Sequence, residues 1–189
     1  GHNFLYLCKV TFDANGGDLT GKGGNLTNYL TDNLTDHAEV PVYKTEKITD
    51  TKANDLKATD LDAINAPTRT GYKFTGWYTE DGKRFYVKDT AITDDITLHA
   101  DWEFDPNALV CHPLTVTGGT VTVKYDGSDV TSKLRSTDET TGKTTYDVPE
   151  GATVTVTLDK TLIPKGKVFD GWSTTGNLSL LTGQDYKAE

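Results

Sequence analysis

Long apolar runs are missing from this chain: no stretch approaches the roughly 20 residues a helix needs to cross a bilayer, so direct insertion by a helix is not expected. Cations are also scarce, with 19 Lys and Arg against 28 Asp and Glu and a formal charge of −9. Nucleic acid binding needs clustered Lys and Arg to displace phosphate counterions, so nucleic acid is not an expected partner. The same acidity disfavours docking on anionic lipid and leaves basic or neutral partners open. Spacings that signal chemistry are lacking too. His2, His37, His99 and His112 form no helical metal pair, and Cys111-His112 has no companion arrangement of a zinc site. Gly171-Trp172-Ser173-Thr174-Thr175 fails as a nucleophile elbow because its last position is not Gly. Asp55, Asp60 and Asp62 lack the central Gly and closing Glu of a calcium loop. No catalytic, cofactor or metal residue is therefore expected. No signal peptide or wall-sorting segment is visible, Leu162 to Gly166 giving only a faint echo, so any anchoring signal is expected outside these residues.

What the chain does have is alternation. Thr, Asp and Gly cluster between short apolar runs, the habit of strands joined by turns, which makes the fold β-rich and α+β at most. At 189 residues there is room for two small domains. Tyr6, Cys8, Val10 and Phe12 share one face of a strand that stops at Asn15-Gly16-Gly17, where Asn and Gly accept the positive φ of a tight turn. The signal then weakens. Leu26, Tyr29, Leu30 and Leu34 fit one helical face, Val40 and Val42 alternate like a strand, and Thr51 to Ile64 is a candidate short helix. After Pro67 the pattern sharpens into strands at Tyr72 to Tyr78, Arg84 to Val87 and Ile96 to Trp102, with a turn at Asp81-Gly82. Residues 104–113 read as a linker. Beyond Leu114, alternation resumes through Val121, Val123 and Tyr125, then Val154, Val156 and Leu158, then Val168 and Phe169.

Set side by side, the halves share a motif: Phe74-Thr75-Gly76-Trp77 against Phe169-Asp170-Gly171-Trp172. Such internal similarity marks modular arrays. On a regular strand Phe74 and Trp77 would point to opposite faces, so both reach one core only if the Gly introduces a bulge or twist. Phe74, Trp77 and Trp102 are expected in one core, with Phe169 and Trp172 doing the same in the second half.

At these residues the sequence resembles the internalin-type B repeat, or Listeria-Bacteroides repeat. Val10 to Gly17 is similar to its opening, Ala66 to Tyr78 to its middle and Ile96 to Trp102 to its closing strand. Gly119 to Val123, Val148 to Val156 and Phe169 to Trp172 resemble a divergent form of the same repeat. The resemblance implies two tandem β-grasp-like modules, at residues 1–103 and 114–189, on a secreted or wall-attached bacterial protein, with no catalytic residues to carry over. The stretch before Ala66 is longer than the family pattern, either as a binding surface or as an enlarged loop. The second module is expected to lack its closing strand, because only 17 residues follow Trp172 where 25 follow Trp77 up to and including Trp102. An unfilled edge of that kind favours self-association. Cys8 and Cys111 permit one disulfide in an oxidising exterior, but the parallel first and last strands of a β-grasp sheet set them at opposite ends.

The functional expectation is a non-catalytic stalk, spacer or adhesion module at the bacterial cell surface or cell wall. Its partner would be a host or neighbouring-cell surface protein or glycan. The rival reading is a carbohydrate-binding module, with Tyr78, Phe85 or Tyr86 stacking on sugar rings.

Overall fold

The computed structural model describes residues 4–20, 25–57, 61, 67–138, 143–170 and 184–187. The chain divides into two compact units, Gly1–Glu103 and Phe104–Glu189.

Unit 1 is built on one five-stranded sheet. Its strands are β1 (Leu7–Asp13), β2 (His37–Tyr43), β3 (Tyr72–Tyr78), β4 (Arg84–Phe85) and β5 (Ile96–Phe104), whose last residue crosses the unit boundary, in the order β2-β1-β5-β3-β4. β1 runs antiparallel to β2 and parallel to β5, so the first and last strands of the unit lie side by side in the middle of the sheet. Alternation fixes which face is inward: Cys8, Val10 and Phe12 of β1, Ala38, Val40 and Val42 of β2, and Leu98 and Ala100 of β5 are all buried. Tyr6, read as part of that face, is exposed, because strand pairing begins one residue later.

The long stretch between the opening turn and β3 is more than an enlarged loop. It supplies Leu19, Leu26, Ile48, Leu56 and Leu61 to the same core, and Tyr29 and Leu30 pack against it. Asn25–Tyr29 forms a single 3₁₀ turn rather than an amphipathic helix, and Leu34 is left exposed. Of the helix expected over Thr51 to Ile64, residues through Lys57 lie in turns or irregular chain and Leu61 alone is helical; the rest falls outside the described residues.

Unit 2 carries two sheets. The three-stranded one has the order β6-β10-β9, from Cys111–Thr117, Lys143–Pro149 and Ser136–Asp138. The four-stranded one has the order β12-β11-β7-β8, from Gln184–Lys187, Thr153–Leu158, Gly119–Tyr125 and Ser128–Asp129. Its buried residues are mostly small and branched: Val116, Val121, Val123, Val130, Val148, Val154 and Val156, with Leu134 and Phe104.

Three expectations change here. Residues 104–113 are not a linker: Phe104 is buried, and Cys111, His112 and Pro113 pair with Pro149, Val148 and Asp147. Proline at 113 and the polar Cys-His pair hid that strand from a pattern search. The second unit does not end short of a closing strand either, since β12 pairs in parallel with β11 from Val154↔Gln184 to Thr157↔Lys187. The ground for self-association through an unfilled sheet is thereby removed. Val168 and Phe169 form no strand; Val168 is 89% exposed. Cys8 and Cys111 are free, one in each unit. Burial, then the charge of Asp147, pushes the Cys111 thiol up from its ordinary pKa, which keeps it protonated.

Candidate functional site

The motif residues of unit 1 converge on one cluster of rings. Phe12 and Trp77 meet edge to face with centroids 4.8 Å apart, Phe74 and Trp77 at 5.3 Å, and Phe74 and Trp102 at 5.6 Å, the geometry that ring quadrupoles prefer. Gly76 makes this arrangement accessible. Its φ of +132° breaks the regular alternation of β3, so Phe74 and Trp77 reach the same core although they are three residues apart. Trp102 is fixed by its indole N–H donating to Ala14 O at 2.9 Å. A Cβ on Gly17 would overlap the Trp102 ring and lie 2.8 Å from Thr68 O, so the Asn15-Gly16-Gly17 turn is shaped to admit that ring. These residues hold the unit together. Trp77 is 1% exposed, and its indole N–H is buried without a hydrogen-bond partner.

In unit 2, Phe169 is half-buried in irregular chain, while Gly171 and Trp172 lie outside the described residues.

The outer side of the β3–β4 hairpin is different in kind. On a strand, residues 84 and 86 share a face and 85 takes the other. Phe85 accordingly enters the core at 7% exposure, which removes its ring from any stacking surface, while Tyr86 is 57% exposed and Tyr78 half-buried. Between the two tyrosines lies Arg84, its guanidinium carbon 5.7 Å from the Tyr78 ring centre and 5.1 Å from that of Tyr86. Its Nη1 donates to Trp77 O at 3.2 Å. A Cβ on Gly76 would overlap this guanidinium, so the glycine of the Phe-x-Gly-Trp motif also gives Arg84 its bed. Beside it opens a groove of about 210 Å³ walled by Phe74, Trp77, Phe85 and Val87, with Lys88 and Asp89 at its rim. Arg84 was missed in the sequence because only its aromatic neighbours were sought; the period-2 relation to Tyr86 was the available signal.

The turn closing this hairpin is braced by Thr79, whose hydroxyl donates to Asp81 Oδ1. That bond, and then the nearby Lys83 charge, holds the Asp81 carboxyl below the usual carboxylate range.

A second polar cluster crosses three strands at one end of the sheet. Asp13 of β1 stands opposite His37 of β2 and His99 of β5. His99 Nδ1 lies 2.9 Å from Asp13 Oδ2 and His37 Nε2 3.6 Å from Asp13 Oδ1, with Asp36 and Glu80 beyond them at 3.2 and 3.7 Å. Among the described residues no group of three or more His, Cys, Asp or Glu is placed to hold a metal ion, and no helix is long and apolar enough to cross a membrane.

Residues 9–101 match the family model of the Listeria-Bacteroides repeat domain. No curated protein and no solved structure matches the chain.

Proposed function

Residues 9–101 being a Listeria-Bacteroides repeat domain, we propose that the chain is a non-catalytic contact or spacer region of a bacterial surface or secreted protein. The observation that carries this reading is the use of the motif residues. Phe74, Gly76, Trp77 and Trp102 are spent on packing rather than on a reactive cleft, and the exposed side chains beside them are suited to touching a partner. The side-by-side parallel pairing of first and last strands supports a β-grasp-like architecture for unit 1. Unit 2 is read as a divergent relative of the same repeat: its β7 and β11 pair antiparallel as β1 and β2 do, and the Phe-x-Gly-Trp motif recurs in its sequence. The partner is a host or neighbouring-cell surface protein or glycan.

The test is antibody labelling of intact cells that carry the full protein. Labelling without permeabilisation is expected; labelling only after permeabilisation would overturn the surface assignment. The carbohydrate-binding alternative keeps one observation in its favour, the exposed Tyr86 beside half-buried Tyr78. A glycan array probed with the native chain and with Tyr86→Ala decides it, a Tyr86-dependent hit being required.

A further inference from the structure

Among the described residues no carboxylate forms an ion pair with Arg84 or Lys88 at the β3–β4 hairpin, in a chain whose net charge is −9. In the same hairpin Lys83 meets Asp81 at 3.7 Å, and on β1 Lys9 meets Glu39 at 3.7 Å, while Lys44, Lys47, Lys52 and Lys73 are, like Arg84 and Lys88, without an ion pair to a described residue. Arg84 instead touches a backbone carbonyl and two tyrosine rings, and Lys88 makes no ion pair although both line the same groove. Asp89 also lines the groove. The guanidinium has five N–H donors and gives one to Trp77 O, which leaves enough for a bidentate carboxylate. Its position is fixed in advance by Tyr78, Tyr86 and the missing side chain of Gly76, so little freedom remains to be lost on binding.

The groove beneath is mainly apolar and, at about 210 Å³, has room for one large side chain. A sugar ring would need several hydrogen-bonding side chains around an open aromatic face. Here Phe85 is turned inward, and the Thr75 hydroxyl is already donated to Asp101 at 2.7 Å.

We propose that this groove docks an acidic segment of a partner protein, one apolar side chain filling the cavity while a flanking carboxylate engages Arg84 and Lys88. The chain as a whole carries a net charge of −9, so the local cations set where such a segment lands as well as how tightly it holds. The proposal rests on the contact-module reading above.

The test is an NMR titration of the isotope-labelled full chain with the acetylated, amidated hexapeptide Asp-Glu-Phe-Leu-Glu-Asp, following the Arg84 Nε–H and Trp77 indole N–H signals. Saturable shifts at both are expected, weakened about tenfold by Arg84→Ala and less by Arg84→Lys, with loss at high salt. Lys88→Glu, at an exposed position, should weaken binding while leaving the dispersed spectrum of the folded chain intact. The same peptide with Lys in place of every acid should not bind. Absence of shifts at millimolar peptide, equal binding of the basic peptide, or shifts produced by methyl glucuronide in place of the peptide would each overturn the proposal. Failure here with intact-cell labelling preserved removes the groove alone; labelling confined to permeabilised cells removes the surface reading whatever the peptide does.

Discussion

Unit 1 closes a single sheet over a cluster of rings, whereas unit 2 divides similarly alternating strands between two sheets over a core made mostly of valine. The rings of unit 1 come from three distant parts of the chain, Phe12, Phe74 with Trp77, and Trp102, so their packing ties β1, β3 and β5 into one body. In unit 2 the ring contact between described residues is Phe104 with Tyr125, at 5.3 Å. Large rings concentrate burial in few residues, while valines spread it over many. The units should therefore respond differently to a single truncation.

The sharpest way to break this comparison is Trp77→Ala, expected to remove about 3–5 kcal/mol from unit 1. Val123→Ala, in the core of unit 2, should remove roughly 2 kcal/mol for its two buried methyl groups. Amide signals followed through a urea titration report each unit. Unit 1 signals should vanish at lower urea in the first variant with those of unit 2 unmoved; a joint shift would mean that the units unfold as one body. Trp77→Phe should cost less than Trp77→Ala, because it keeps a ring and deletes an N–H that has no partner.

Glycines give the next contrast. Gly17→Ala places a methyl group into the Trp102 ring and the Thr68 carbonyl, at an expected cost of about 1–3 kcal/mol. Gly118, in unit 2, has open space around it but a φ of +83°. Its change to Ala should cost only the left-handed strain of about 1 kcal/mol. Equal losses on the same titration would show that Trp102 does not need the Gly17 turn.

Both units brace a hairpin with a Thr-Asp pair, and here the difference should shrink. Thr131 Oγ1 accepts from Val123 N at 2.7 Å and donates to Asp129 at 2.6 Å, while Thr79 accepts from Lys83 N at 3.2 Å and donates to Asp81. Thr131→Val should lower the stability of unit 2 by about 1 kcal/mol, and Thr79→Val should lower that of unit 1 by less, since its backbone bond is longer.

The smallest effect is in pH. The Asp129 carboxyl, like that of Asp81, lies below the usual range, chiefly because a threonine hydroxyl hydrogen-bonds its charged form. Depressed folded values mean that each carboxylate contributes stability above the unfolded pKa of about 3.9, and that this is lost as pH falls through the lower folded value. Carbon-13 titration of the two side chains should give midpoints below about 3.9 in the native chain and a return toward it in the two Thr→Val variants.

The inward face of the strands that alternate clearly was legible in the sequence, because alternation is a local property of an extended backbone. Val10 and Phe12, Val40 and Val42, Val121 and Val123 all sit where their period places them. So were the turns at Asn15-Gly16, Asp81-Gly82 and Asp126-Gly127, since positive φ favours Gly, Asn and Asp. The strands' partners were not legible. Nothing local in Gln184–Lys187 tells it to pair with β11, and nothing in Cys111–Thr117 announces a strand until Lys143–Pro149 lies alongside. Pairing is decided by contacts between residues far apart in the chain, where loop closure and the burial of both surfaces must be satisfied together. The same holds for Arg84: its charge is written in the sequence, but only the fold supplies the two tyrosines, the bare glycine and the groove that give it a role.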